Sequence, residues 1–189
     1  MIDIKEIFIN MEKEIFRGNL LDIGRDNYGI IYNIYKKYND DINLEYVTGE
    51  QEKENIKENY YDNCILLFSF SNIFLKKNKT KILEDIYKFL KKDGCIYIWD
   101  IDKGINKTFN SKVKIVIPDG KIKEIFIKDL NLFKDSSSDT CVKLLETYFK
   151  MEEFKKSDGI YYIKARKINN NKDMTVRKGE KHENNFSCN

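Results

Sequence analysis

The chain has one histidine and one proline among 189 residues, and its four cysteines lie far apart. Cys64, Cys95, Cys141 and Cys188 form no C-x-x-C pair, so the close ligand spacing of a zinc site is missing and no metal is expected. The lone histidine, His182, sits in a polar tail. A serine or cysteine hydrolase needs a general base anchored beside its nucleophile, so that class is disfavoured. No apolar run reaches the roughly 18 residues of a membrane-spanning helix. The N-terminus shows no secretory pattern, because Glu6, Glu12 and Glu14 interrupt it early. A cytoplasmic protein with reduced thiols follows as the expectation. Cys64 and Cys95 fall in apolar runs, where cysteine behaves as a small buried apolar residue.

Apolar residues make up 41% and aromatics 13%, enough for a sizeable core in a single domain. The abundance of lysine, asparagine and isoleucine matches the bias of an AT-rich bacterial genome and carries no functional signal. The net charge of +3 is unevenly spread. Residues 103–134 hold eight lysines against Asp119, Glu124 and Asp129, and residues 164–189 hold seven Lys/Arg against three acids. A basic insertion can attract an anionic substrate. Lysines also guard the exposed edges of a solvated hairpin, and we favour that reading.

The stretch Asn19-Leu20-Leu21-Asp22-Ile23-Gly24-Arg25-Asp26-Asn27-Tyr28-Gly29 organises the rest. A strand, Asn19 to Ile23, runs into a polar turn and then a helix, Ile30 to Tyr38, whose Ile30, Ile31, Ile34, Tyr35 and Tyr38 share one stripe. In open α/β sheets such a junction is where a ligand meets the carboxyl end of a strand. Before it, Ile4, Ile7, Phe8, Met11 and Ile15 recur at helical spacing and predict a leading helix over 2–16. After it, Asn43 to Val47 reads as a short strand and Gly49 to Asn59 as a charged, solvated loop. Cys64 to Phe68 is a continuous apolar run, as in a parallel strand buried on both faces. A helix follows over 80–91, stopped by Lys91-Lys92-Asp93-Gly94 with Gly94 as its left-handed cap. Cys95 to Ile101 is the next buried strand. Lys112 to Ile117 and Lys121 to Ile127 form a hairpin around Pro118-Asp119-Gly120. The cluster Ser136 to Asp139 caps a helix over 141–149. Met151 to Lys155 and Ile160 to Ala165 close the domain as a hairpin across Ser157-Asp158-Gly159. The domain therefore spans 1–168, with 103–134 as a basic hairpin insertion and 169–189 as a disordered tail.

Asp22 and Gly24 match the acid and first glycine of motif I in the class I S-adenosylmethionine-dependent methyltransferases, which this stretch resembles. Asp26 and Tyr28 stand where that motif has its second and third glycines; by dinucleotide-type spacing, Gly24 and Gly29 fit the first and last. Further on, Tyr61-Asp62 resembles the aromatic–acid pair that opens the family's fourth strand. Leu90-Lys91-Lys92-Asp93-Gly94 resembles the turn before its fifth. The order of these elements is the more specific signal. The resemblance implies an α/β fold: a doubly wound, Rossmann-like methyltransferase sheet, mostly parallel, with a C-terminal antiparallel hairpin. The interval from Gly29 to Asp62 holds one clear strand where the family places two βα units, so one edge unit is expected to be missing.

The resemblance also implies S-adenosyl-L-methionine as cofactor, with Asp22, Gly24, Asp26, Gly29, Ser69 and Phe70 around it. A ribose or adenine acid is Glu45 if residues 43–47 are the second strand, or Glu50 if they are the third. Asp26 and Tyr28 replace glycines in the turn and predict weakened or lost cofactor affinity. Asp100 and Asp102, at the end of the fifth strand, are the candidates to orient a methyl acceptor, and no catalytic residue is assigned. Two functions follow: methyl transfer to a small-molecule acceptor, or a non-catalytic fold with a degenerate pocket that binds a protein partner. The sequence carries no membrane motif, and no Asn-Pro-Pro-Tyr type sequence marks a nucleobase methylase. Nucleic-acid binding by the hairpin and tail ranks third.

Overall fold

A computed structural model describes residues 4–24, 29–40, 43–47 and 56–169. In chain order the elements are β1 (Lys5–Asn10), β2 (Leu20–Ile23), α1 (Ile30–Tyr38), β3 (Leu44–Val47), β4 (Tyr61–Leu67), α2 (Lys76–Phe89), β5 (Leu90–Ile101), β6 (Phe109–Ile117), β7 (Lys121–Asp129), α3 (Ser138–Leu145), β8 (Phe149–Ser157) and β9 (Ile160–Lys167). Six strands form the main sheet in the order β3-β2-β4-β5-β9-β8. The first four run parallel, and β9 and β8 form the antiparallel end. The chain leaves β2 through α1 toward β3 on one side, while β4 pairs with β2 on the other. The strand order thus reverses between β2 and β4. Among the described residues, one strand separates α1 from β4, as the short interval implied.

The two faces of the sheet are both covered, which is why β4 and β5 read as continuous apolar runs. Leu20, Ile65, Leu67, Tyr97 and Trp99 face α1, which buries Ile30, Ile31, Ile34 and Tyr35 against them. Leu21, Cys64, Leu66, Ile96 and Ile98 face α2 and α3. Crossover helices on opposite faces define a doubly wound sheet. Lysines 36 and 37 in the last turn of α1 complement the negative end of its dipole. The closing hairpin turns at Asp158-Gly159 with both φ positive, 55° and 81°, as a two-residue turn between twisted strands requires.

The leading segment departs from the helical expectation. It is strand β1, pairing in parallel with β6 from Lys5–Ser111 to Asn10–Val116. Ile7 and Met11 point inward while Phe8 is two-thirds exposed, a period of two. The apolar spacing satisfied both periods. The free edge of β6, more than a hundred residues away, decides between them by supplying backbone partners that a solvated helix would not need. β1, β6 and β7 form a second, three-stranded sheet packed over the α1 face through Ile7, Val113, Ile115 and Ile117. Phe16 closes the seam, its ring centre 5.1 Å from that of Tyr97 in an edge-to-face arrangement. The basic hairpin is therefore a structural layer of the core as well as an insertion.

The α2–β5 junction also differs from expectation. The helix spans Lys76–Phe89 rather than 80–91, and β5 starts at Leu90 with no glycine cap. Asp93, not Gly94, has the left-handed φ, 64°. Between the pairs Tyr61–Leu90 and Asn63–Cys95 the register slips, so Lys91 to Gly94 form a bulge. Lys91 Nζ pins it to Asp62 at 2.8 Å, and Arg166 Nη1 donates to the Asp93 carbonyl at 2.7 Å. α3 likewise starts earlier than 141, at Ser138, with the Ser137 hydroxyl accepting from Thr140 N as its cap.

Candidate cofactor turn and polar cleft

At the carboxyl end of β2, Gly24 begins the turn where the strand order reverses. Ser69, just past β4, donates its hydroxyl to the Ile23 carbonyl at 2.7 Å. A Cβ placed on Gly24 would lie 2.8 Å from Ser69 Cβ and 3.0 Å from its Oγ. Glycine is therefore required here by the close approach of Ser69, which ties the two strand tips together. The far side of the turn ends at Gly29, the left-handed N-cap of α1 at φ 67°. Among the described residues that helix has no side-chain cap and no acid in its first turn. Asp26 and Glu50 lie outside the described residues.

Two of the expected cofactor residues are engaged elsewhere. Asp22 is 2% exposed on β2, two residues before Gly24. Phe70 is buried among the α2-side core residues, with the Lys79 ammonium 5.2 Å from its ring centre. Glu45 pairs in register with Leu21, three residues before Gly24, or about 10 Å along the strand. Its carboxylate accepts the Tyr61 hydroxyl, and burial together with that carboxylate pushes the Tyr61 phenol up. The structure thus brings Gly24 and Ser69 together and leaves Glu45 and Phe70 in other work.

Two strands along, β5 delivers its own pair of acids. Asp100 is fully buried and is not among the residues that line the cleft beside Asp102. Its Oδ2 accepts from Ser71 N and its Oδ1 from Ile101 N, both at 2.7 Å. Burial pushes its carboxyl up, against the pull of those hydrogen bonds and of Lys79. Its work is to fix the segment after β4 that carries Ser69. Lys79, itself 2% exposed, donates to the Asp135 carbonyl at 2.8 Å and binds the β7–α3 connection to α2.

Asp102, in contrast, lines a cleft of about 350 Å³ at this same edge of the sheet. Its Oδ1 accepts from Ser138 N at 2.8 Å, and its other oxygen pairs with Lys156. Burial raises its carboxyl, but the Lys156 ammonium and the Ser138 hydrogen bonds outweigh that and hold it below the usual aspartate value. Asp135, Ser137 and Asp139 from the start of α3 face it across the cleft, with Gly104, Ile105 and Lys107 on a third side. Sequence reading took 136–139 only as a cap and passed over Lys156. The available signal was direction: β8 runs antiparallel to β9, so its last residues return to the carboxyl edge of β5.

Lys103, 1% exposed, stands behind the cleft. Its ammonium donates to the carbonyls of Asn131 at 2.6 Å and Lys134 at 2.8 Å, with Asp129 at 3.6 Å. On the outer face of the small sheet, Lys112 pairs with Glu124 and Lys114 with Glu6, each at 2.7 Å. That neutralises much of the basic insertion. Among the described residues no group of His, Cys, Asp and Glu is placed to hold a metal ion, and no helix is long and apolar enough to cross a membrane. Cys64, Cys95 and Cys141 are buried free thiols, with Cys141 pushed up to about 12 by burial.

No protein-family model matches the chain, and no curated protein matches its sequence. Solved structures do match. A S-adenosylmethionine-dependent methyltransferase from Clostridium acetobutylicum aligns with 80% of this chain and 84% of its own, at 11% identity and a TM-score of 0.53. The 1,6-didemethyltoxoflavin-N1-methyltransferase of Burkholderia thailandensis, solved with 1,6-didemethyltoxoflavin and S-adenosylhomocysteine, aligns with 80% of this chain and 72% of its own, at 13% identity and 0.52. The [4+2]-cyclase SpnF aligns with 82% of this chain and 77% of its own, at 8% identity and 0.53. The chain has the fold of the S-adenosylmethionine-dependent methyltransferases. The presence of a cyclase among the neighbours shows that this fold does not fix the reaction.

Proposed function

We propose that the protein binds S-adenosyl-L-methionine at the Gly24 turn and transfers its methyl group to a small polar acceptor in the Asp102–Lys156 cleft. The observation that carries this is the placement of both features on the carboxyl edge of one doubly wound sheet, with the turn at the strand-order reversal. The residues present fit the cofactor's methionine end. Gly24 carries no side chain, and the first turn of α1, which holds no acid, can offer N–H groups to a carboxylate. They fit its ribose less well, because Glu45 is engaged by Tyr61.

When bound, the cofactor supplies an electrophilic methyl group on a sulfonium. The chain's own contribution is alignment, which can account for much of the acceleration of an in-line displacement. Ser69 holds the two strand tips in register, and Asp100 fixes the segment that carries Ser69. Asp102, kept ionised by Lys156 and Ser138, orients a donor group of the acceptor.

A second reading keeps the fold and loses the chemistry. The close packing of Ser69 on Gly24 favours it, because that space is filled by the chain itself. Calorimetric titration with S-adenosylhomocysteine separates the two. Saturable binding supports the first reading, and the altered turn predicts that it is weaker than about 10 μM. Absence of saturable heat overturns it in favour of a binding module.

A further inference from the structure

The polar cleft has an apolar rim. Ile105 lines the cleft and is 58% exposed, while Leu132 is 44% and Phe133 83% exposed. Asn106 N donates to the Leu132 carbonyl at 2.8 Å, which sets the two rim loops side by side. The buried Lys103 ammonium grips Asn131 and Lys134 on either side of Leu132 and Phe133. The rim is thus displayed from fixed backbone. Exposed apolar side chains held beside a cleft mark a contact surface rather than a random scatter.

The charges inside the cleft are partly spent. Asp102 is paired with Lys156 and bonded by Ser138 N. Asp135 accepts from Ser137 N at 2.9 Å and from the Thr140 hydroxyl at 2.5 Å. Lys107 and Asp139 also line the cleft; neither is within ion-pair distance of a described partner, though Asp139 acts on Lys156 through its charge. Lys107 and Asp139 thus present a cation and an anion to the cleft with no direct side-chain pairing between described residues. A volume of about 350 Å³ suits a small head group rather than a folded partner.

We infer that the cleft takes a zwitterionic amphiphile, its charged head between Asp139 and Lys107 and its hydrocarbon body across Ile105, Leu132 and Phe133. Calling this ligand the methyl acceptor rests on the methyl-transfer reading above; the binding site itself does not.

The test is calorimetric titration of the full chain, below the micelle concentration, with a sulfobetaine carrying a dodecyl tail and with the same head on a short tail. The dodecyl form should bind at least about tenfold tighter, the equivalent of a few buried methylenes. The double variant Ile105→Ser, Phe133→Ser, at exposed positions where the fold tolerates change, should remove that preference. Lys107→Ala and Asp139→Asn should each weaken both probes. Equal affinity for the two probes overturns the proposal, as does saturable binding of neither, or an undiminished preference in the double variant. Equal binding of a dodecyl cation or dodecyl anion overturns the paired head. Sulfobetaine binding without S-adenosylhomocysteine binding would sustain this site and remove the methyl-transfer reading.

Discussion

Gly24→Ala is the most informative single change. The new methyl group would stand 2.8 Å from Ser69 Cβ and 3.0 Å from Ser69 Oγ, well inside contact distance. Overpacking of this kind costs about 1–3 kcal/mol. The backbone adds to it, because φ at Gly24 is 157°, a value side-chain-bearing residues rarely adopt, worth about another 1–3 kcal/mol. The variant should therefore lose about 2–6 kcal/mol in a urea titration. Ser69→Gly alone loses its bond to the Ile23 carbonyl and should cost about 1 kcal/mol. Combined, the two should cost less than their sum by about 1–3 kcal/mol, because the second change removes the atoms the first collides with. Additivity within about 0.5 kcal/mol would refute the claim that Ser69 is what glycine makes room for.

Other outcomes follow from the same contacts. Lys103→Met leaves the Asn131 and Lys134 carbonyls and part of the buried Asp129 without their cation, and should cost about 3–5 kcal/mol by chemical denaturation. Tyr61→Phe removes the bond to Glu45 and should cost about 1 kcal/mol while leaving S-adenosylhomocysteine affinity unchanged in calorimetry. Asp102, Asp129 and Asp135 are held below the usual value, so their contribution is present above pH about 4 and is lost as pH falls through their folded values. Asp100 has the opposite sign. Its raised carboxyl adds stability in acid that disappears as pH rises from about 4 through its raised folded value, so Asp100→Asn should steepen the gain in urea midpoint above about pH 4.

Much of this architecture was legible because its signals were local. The apolar runs of β4 and β5, the stripe of α1, and the turns at Pro118-Asp119-Gly120 and Asp158-Gly159 each require only neighbouring residues to specify them. The leading strand was not legible, because Ile4, Ile7, Phe8, Met11 and Ile15 fit a helix until the distant β6 claims Ile7 and Met11 for its own face. Gly24 and Asp102 were found by position at strand ends. Asp100 shares the parity of Ile96 and Ile98, which fill the α2-side core, so its burial was readable from alternation once that face was known. Glu45 was placed by strand identity alone, and the hydroxyl that takes it comes from the opening of a different strand. Lys156 and Asp139 meet in one cleft only after the sheet sets the direction of β8 and the start of α3.

The central claim is that the bend after β2 holds a methionine-derived cofactor. Backbone amide shifts of the isotopically labelled chain, followed during S-adenosylhomocysteine addition, test it residue by residue. The account expects saturable shifts centred on Ile23, Gly24, the first turn of α1 and Ser69. Shifts confined to the small sheet, or none, would contradict it.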